Sequence, residues 1–144
     1  MIPLTNLINS FSEISNKYTT VICDLWGCLH NGIKSFPKAL SALEDFKDSN
    51  GKVVLVTNAP RPVANVKHQL ASLGIKERHY DMLLTSGELT SLYINKICEN
   101  NLSIFHIGGK RHHSIYKDMI HQKKISIELD NIACADLIVC TEPF

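Results

Sequence analysis

The chain alternates between two kinds of segment, and that alternation limits what it can fold into. Residues 20–25, 52–57, 82–85, 103–107 and 136–141 are short, largely apolar and mostly rich in β-branched side chains, so they read as strands buried on both faces. Residues 125–132 read as one more, short and nearer an edge. Between these runs the apolar spacing becomes helical: Leu40, Leu43 and Phe46; Val63, Val66, Leu70 and Leu73; Leu89, Leu92, Tyr93 and Ile97. Pro37 and Pro62 suit opening turns, where a missing N–H costs nothing, and Thr85-Ser-Gly-Glu88 has capping-box spacing. Gly74 fits a helix stop, and residues 4–17 read as a leading amphipathic helix. Strand and helix repeated in this way imply right-handed βαβ crossovers and an α/β fold with a doubly wound, mainly parallel sheet flanked by helices.

Composition sets outer bounds. A chain of 144 residues suits one domain, and its 44% apolar and 20% charged residues with a net charge of +1 give no reason to expect nucleic acid or an anionic membrane as partner. No apolar stretch approaches the ~20 residues that span a bilayer, and Met1-Ile-Pro-Leu-Thr lacks the basic start of a signal peptide, so the expected location is the cytoplasm. The five cysteines are an odd number set mostly in apolar runs, which suits buried reduced thiols better than a disulfide framework.

Two strand ends carry polar groups. The first run delivers Asp24 onto a turn reading Leu-Trp26-Gly27, and the second ends in Thr57-Asn58. If the strands are neighbours, a carboxylate, a hydroxyl and an amide meet in the crevice where open α/β sheets bind ligands. A carboxylate can attack phosphorus and hold Mg²⁺, while the hydroxyl, the amide and backbone N–H groups bind the transferring oxygens. The plainer reading, an Asp in a turn and Thr-Asn before Ala-Pro as another turn, uses the same residues.

Asp24-Leu-Trp-Gly-Cys-Leu-His-Asn-Gly32, then Val-Leu-Val-Thr57-Asn58-Ala-Pro-Arg-Pro62, then Leu-Leu-Thr-Ser86-Gly-Glu resembles the haloacid-dehalogenase-like (HAD) hydrolase superfamily. The likeness is greatest to class IIA, the sugar-phosphate and nitrophenylphosphate phosphatases with a mobile cap. It implies a Rossmann-like sheet and an activity: Mg²⁺-dependent hydrolysis of a small phosphorylated metabolite through an aspartyl-phosphate. By the same resemblance Asp24 is the nucleophile and a metal ligand, and the Trp26 backbone carbonyl is a second metal contact. Thr57 binds the phosphoryl oxygens with Asn58 as companion, and Gly27 and Gly32 stand where the chain turns sharply beside the nucleophile. His30 would support the loop or touch substrate.

The sequence departs from the family pattern twice. Most catalytic members carry a second Asp two residues after the nucleophile; here that position is Trp26, and an indole cannot trade protons near neutral pH. Asp-x-Trp-Gly is also found in a subgroup of class IIA. The family's later Lys and acidic-pair motifs should follow the cap, whereas this sequence closes at Cys140-Thr-Glu-Pro-Phe144, about where the cap would begin. The resemblance therefore implies that residues 1–144 are the N-terminal part of a HAD-like core without cap or C-terminal motifs, with an incomplete sheet. Such a chain would be weakly active or inactive, prone to self-association through an uncovered sheet edge or face, and in the alternative a non-catalytic phosphate-binding or protein-interaction remnant.

Other candidates are weaker. Lys110 and Arg111 could lie over the crevice as phosphate ligands, but a basic tip is more often simply solvated. His106, His112 and His113 lack zinc-site spacing and read as surface or satisfied histidines. Cys28 is expected to pack behind Asp24, and the absence of Gly-x-Gly-x-x-Gly after the first strand removes the dinucleotide-binding alternative.

Overall fold

The computed structural model describes residues 7–98, 101–128 and 131–142; the expectations for residues 4–6 and 129–130 lie outside them. The fold is α/β with parallel strands, as the alternation predicts, but the strands form two three-stranded sheets rather than one. The chain divides into two compact units, with boundaries after Thr57, after His68 and after Leu83.

In the first unit β1 (Thr20–Asp24) and β2 (Lys52–Thr57) run parallel, with Asp24 opposite Val56, and β3 (Met82–Thr85), which runs through the boundary after Leu83, completes the order β1-β2-β3. Val53 and Leu55 on the central strand are fully buried. The connection between β1 and β2 is α1 (Pro37–Asp48), which starts with Pro37 in its first turn and buries the expected stripe of Leu40, Leu43 and Phe46. The Phe46 ring packs over Gly51, where a Cβ would collide with it, so any side chain at that point would require the ring to move. A second helix, α2 (Val63–Ser72), closes at Gly74, whose φ of +78° is the left-handed stop that the sequence suggested.

In the second unit α3 (Ser86–Ile97) leads into β4 (Leu102–Ile107), and α4 (Lys117–His121), β5 (Ile125–Glu128) and β6 (Leu137–Cys140) follow. The sheet is parallel in the order β5-β4-β6, so β5 lies at an edge as expected. Its core gathers Ile94, Cys98, Ile104, Ile115, Tyr116, Met119, Ile125 and Val139.

One device seats a strand in each unit. Just before β3, the Asp81 N–H donates to the Val53 carbonyl at 2.8 Å while its carboxylate accepts the Val53 N–H at 2.8 Å. Just before β6, Asp136 makes the same reciprocal pair with Ser103, again at 2.8 Å each way. Asp81 also faces Lys47 at 3.2 Å. The Val53 N–H, then Lys47, hold its carboxyl below the usual carboxylate range.

Four expectations need correction. Residues 7–17 do not continue a helix: they form two 3-10 turns, Phe11–Glu13 and Ser15–Lys17, because the Ser10 hydroxyl and the Glu13 carboxylate bond nearby backbone N–H groups instead. The stripe Leu89, Leu92, Tyr93 and Ile97 on α3 is exposed, and the burial falls instead on Ile94 and on Cys98 just past the helix end. β1 and β6 are edge strands that are not buried on both faces, with Ile22 71% and Ile138 52% exposed. Of the five free cysteines only Cys98 is buried and Cys23 is half-buried, since Cys28, Cys134 and Cys140 lie on exposed positions.

Candidate active site

Asp24 is the last residue of β1, exposed, with Oδ1 accepting the Leu25 N–H at 2.7 Å. The turn beyond it is anchored by buried Leu25 and Leu29, and the Leu25 carbonyl accepts the N–H groups of Leu29 at 2.9 Å and His30 at 3.2 Å. Gly27 sits at φ +79° with its N–H on the His30 carbonyl at 2.9 Å, a conformation L side chains rarely adopt. Gly32, at φ +85°, lies under the Trp26 ring, where an added Cβ would be 2.6 Å from the indole. His30 is buried, accepts the Gly32 N–H on Nδ1 at 3.0 Å and meets Trp26 edge to face at 5.8 Å. It is built into the loop. Trp26 remains 65% exposed.

Thr57 ends β2 one residue past Val56, the register partner of Asp24. Adjacent strands run about 4.8 Å apart, so Asp24 and Thr57 stand at neighbouring carboxyl ends of one parallel pair. Asn58 opens the second unit, where its carbonyl accepts the Ser86 hydroxyl at 2.8 Å.

The segment after Asn58 is held by a set of contacts that reading the sequence did not find. The Thr85 hydroxyl, fully buried, donates to the Arg61 carbonyl at 2.6 Å, and the Gly87 N–H donates to the Ala59 carbonyl at 3.2 Å. A Cβ on Gly87 would strike the backbone of Pro60 and Arg61. Thr85 caps α3 by accepting the Glu88 N–H at 3.0 Å, but Glu88 does not close the capping box: its carboxylate accepts the Val63 N–H at 3.1 Å. Thr-Ser-Gly directly after a strand was the available signal; the partners it would find were not readable.

The remaining candidates are engaged elsewhere. Arg111 pairs with Glu142 and donates to His112, and Lys110 is exposed. His106 and His112 are buried and hydrogen-bonded, as satisfied histidines should be. Cys28 is exposed rather than packed behind Asp24. Burial first, then the charges of Cys28 and Asp24, push the Cys23 thiol up to about 11, so it is not a thiolate near neutral pH.

The donors for a divalent cation are right in kind and short in number. Asp24 and the Trp26 carbonyl supply oxygens, yet among the described residues no group of three or more His, Cys, Asp or Glu could hold a metal. Mg²⁺ demands near-octahedral oxygen coordination, so these residues alone do not make its site. Among the described residues no helix is long and apolar enough to cross a membrane.

The chain is similar to known proteins along most of its length. A family profile for haloacid dehalogenase-like hydrolases matches residues 21–120. A haloacid dehalogenase-like hydrolase from Brucella suis 1330 is 35% identical over 94% of this chain and 49% of its own, with a TM-score of 0.76. NagD from E. coli K-12 shares the fold at 22% identity, over 85% of this chain and 45% of its own, with a TM-score of 0.56. A glycerol phosphate phosphatase from Mycobacterium tuberculosis, solved with calcium, shares it at 16% identity, over 87% and 34%, with a TM-score of 0.59. No curated protein matches the sequence. The chain thus spans about half the length, or less, of the solved structures it matches. With a profile match across 100 residues that begins beside Asp24 and includes Thr57 and Asn58, the chain belongs to the haloacid dehalogenase-like hydrolase family.

Proposed function

We propose that the chain carries the nucleophile half of a phosphatase-type active site, with Asp24 as the attacking carboxylate. The observation that supports this most is the pairing of β1 with β2, which sets an exposed Asp24 beside Thr57 at the carboxyl ends of adjacent parallel strands. An Asp24 oxygen would bond to the phosphorus of a small phosphorylated metabolite as the P–O ester bond breaks, and the leaving oxygen would take a proton from water. Water would then attack the phosphorus, releasing inorganic phosphate and the free carboxylate. Thr57, Asn58 and the backbone beside Gly27 would bind the phosphoryl oxygens. Mg²⁺ is the proposed cofactor, with Asp24 and the Trp26 carbonyl as its contacts, by analogy with relatives of the fold that bind divalent ions.

Turnover should be slow. Trp26 leaves both steps without a side-chain acid or base, help that is typically worth 10²- to 10⁴-fold. That same residue favours a second reading, a phosphate-binding protein of the family without catalysis. We propose that the chain corresponds to the N-terminal part of a HAD-like core, that it acts in the cytoplasm, and that neither nucleic acid nor membrane is its partner. Phosphate release from a generic phosphoester with Mg²⁺, compared between the chain and Asp24→Asn, decides between the readings: loss of release in the variant supports catalysis, and equal rates contradict it.

A further inference from the structure

The residues at the end of β3 and the start of α3 spend most of their polar groups on another segment. Resting on the reading of Asn58 as a phosphate ligand, we infer that Ser86 is a positioning residue for Asn58. It would hold that residue's backbone in place before phosphate arrives.

Four consecutive residues, Thr85 to Glu88, hold the backbone from Asn58 to Val63. The Ser86 hydroxyl donates to the Asn58 carbonyl at 2.8 Å, with the Ala59 carbonyl 3.1 Å away. The Gly87 N–H donates to that Ala59 carbonyl at 3.2 Å, and the Thr85 hydroxyl donates to the Arg61 carbonyl at 2.6 Å. The Glu88 carboxylate accepts the Val63 N–H at 3.1 Å. All of these residues from Asn58 to Glu88 lie in the second unit.

Helix capping does not account for this set. Thr85 also serves α3 by accepting the Glu88 N–H, but Glu88 leaves the reciprocal bond of the capping box unmade. The Ser86 hydroxyl reaches out to the other segment. Gly87 lets the two stretches meet, since a Cβ there would lie 2.2 Å from the Arg61 backbone nitrogen and 2.6 Å from the Pro60 carbonyl carbon. Those are backbone atoms, so no side-chain movement relieves the clash.

The held segment shows why Ser86 matters more than its neighbours. Pro60 and Pro62 fix their own φ angles and restrict Ala59 and Arg61 before them, so residues 59–62 are stiff by composition. Asn58 stands just outside that stiff stretch and is exposed. Its carbonyl is the group that Ser86 ties. A residue ordered in advance does not lose its backbone freedom again when a ligand binds, so the contact should appear as affinity.

Titration of the whole chain with inorganic phosphate and Mg²⁺, followed by NMR at the Asn58 side-chain amide, tests this under conditions where every variant is folded. The unsubstituted chain should bind, and Ser86→Ala should bind about three- to tenfold more weakly. Ser86→Thr, which keeps the hydroxyl, should return to the original affinity. A residue that only braced the helix would lower the unfolding midpoint and leave the affinity of the folded chain unchanged. Equal affinity in Ser86→Ala therefore overturns the inference while the reading of Asn58 stands. No phosphate binding by the unsubstituted chain overturns that reading, and the inference with it. Should Ser86→Ala not fold, hydrogen exchange in the unsubstituted chain decides: saturating phosphate should raise protection of the Gly87 N–H, and unchanged protection overturns the inference.

Discussion

At the scale of single residues the proposed chemistry turns on Trp26, which stands two residues after Asp24, where in that proposal a proton donor would serve the leaving oxygen. Its ring is fixed by Gly32 beneath and His30 at its edge, and most of its surface faces solvent. Trp26→Asp should therefore increase Mg²⁺-dependent phosphate release, by about 10²-fold or more if the carboxyl reaches the leaving group. A steady-state assay checks this, and an unchanged rate would mean that the missing acid is not what limits turnover. The place of Asp24 at the end of β1 was readable in the sequence, since an apolar run ending in one carboxylate and glycine-bearing turns is a local pattern. Contacts within the second unit were less readable: nothing local indicated that Glu88 would bond Val63 rather than close its own helix cap, or that Thr85 would tie down Arg61.

Secondary-structure elements were largely legible, and the reason is period. The runs that became β1 to β6 and the stripes of α1 and α2 carry their signal within a few residues. The stripe on α3 misled because apolar spacing reports which face could be buried, not which face finds a partner; in this structure Ile94 and Cys98 found one. Seating of β3 and β6 by Asp81 and Asp136 is equally non-local, each contact reaching back about thirty residues. Asp81→Ala should destabilise the chain by about 1–3 kcal/mol, since it leaves the Val53 N–H without its acceptor. The folded-state value for Asp81 is lowered, so its contribution is present above the unfolded carboxylate value near 4 and lost as the pH falls through the folded one. Denaturant unfolding of both chains at about pH 7 and about pH 3 should show the gap narrowing in acid; a gap of equal size at both would contradict this.

Over the whole molecule, one doubly wound sheet was the natural extrapolation from the strand pattern, and two three-stranded sheets are what formed. Strand order depends on which edges meet, a property with no local signature. The same architecture leaves apolar surface uncovered within each unit: Ile22 on β1 in the first, and Leu89, Leu92, Tyr93 and Ile138 in the second. Exposed edges and apolar stripes of this kind favour pairing with another copy, which we propose for this chain. Sedimentation velocity across a concentration series should show reversible self-association that weakens on Leu92→Glu; a concentration-independent monomer would contradict it.

Asp24 is proposed to take up a phosphoryl group, and the absence of a proton-transferring side chain at Trp26 should make that intermediate long-lived. Acid-quenched mass spectrometry after incubation with Mg²⁺ and a reactive phosphoester tests it directly. One added phosphoryl group is expected on the peptide containing Asp24, removed by hydroxylamine and missing in Asp24→Asn. No adduct under these conditions, or one that persists in the variant, would contradict it.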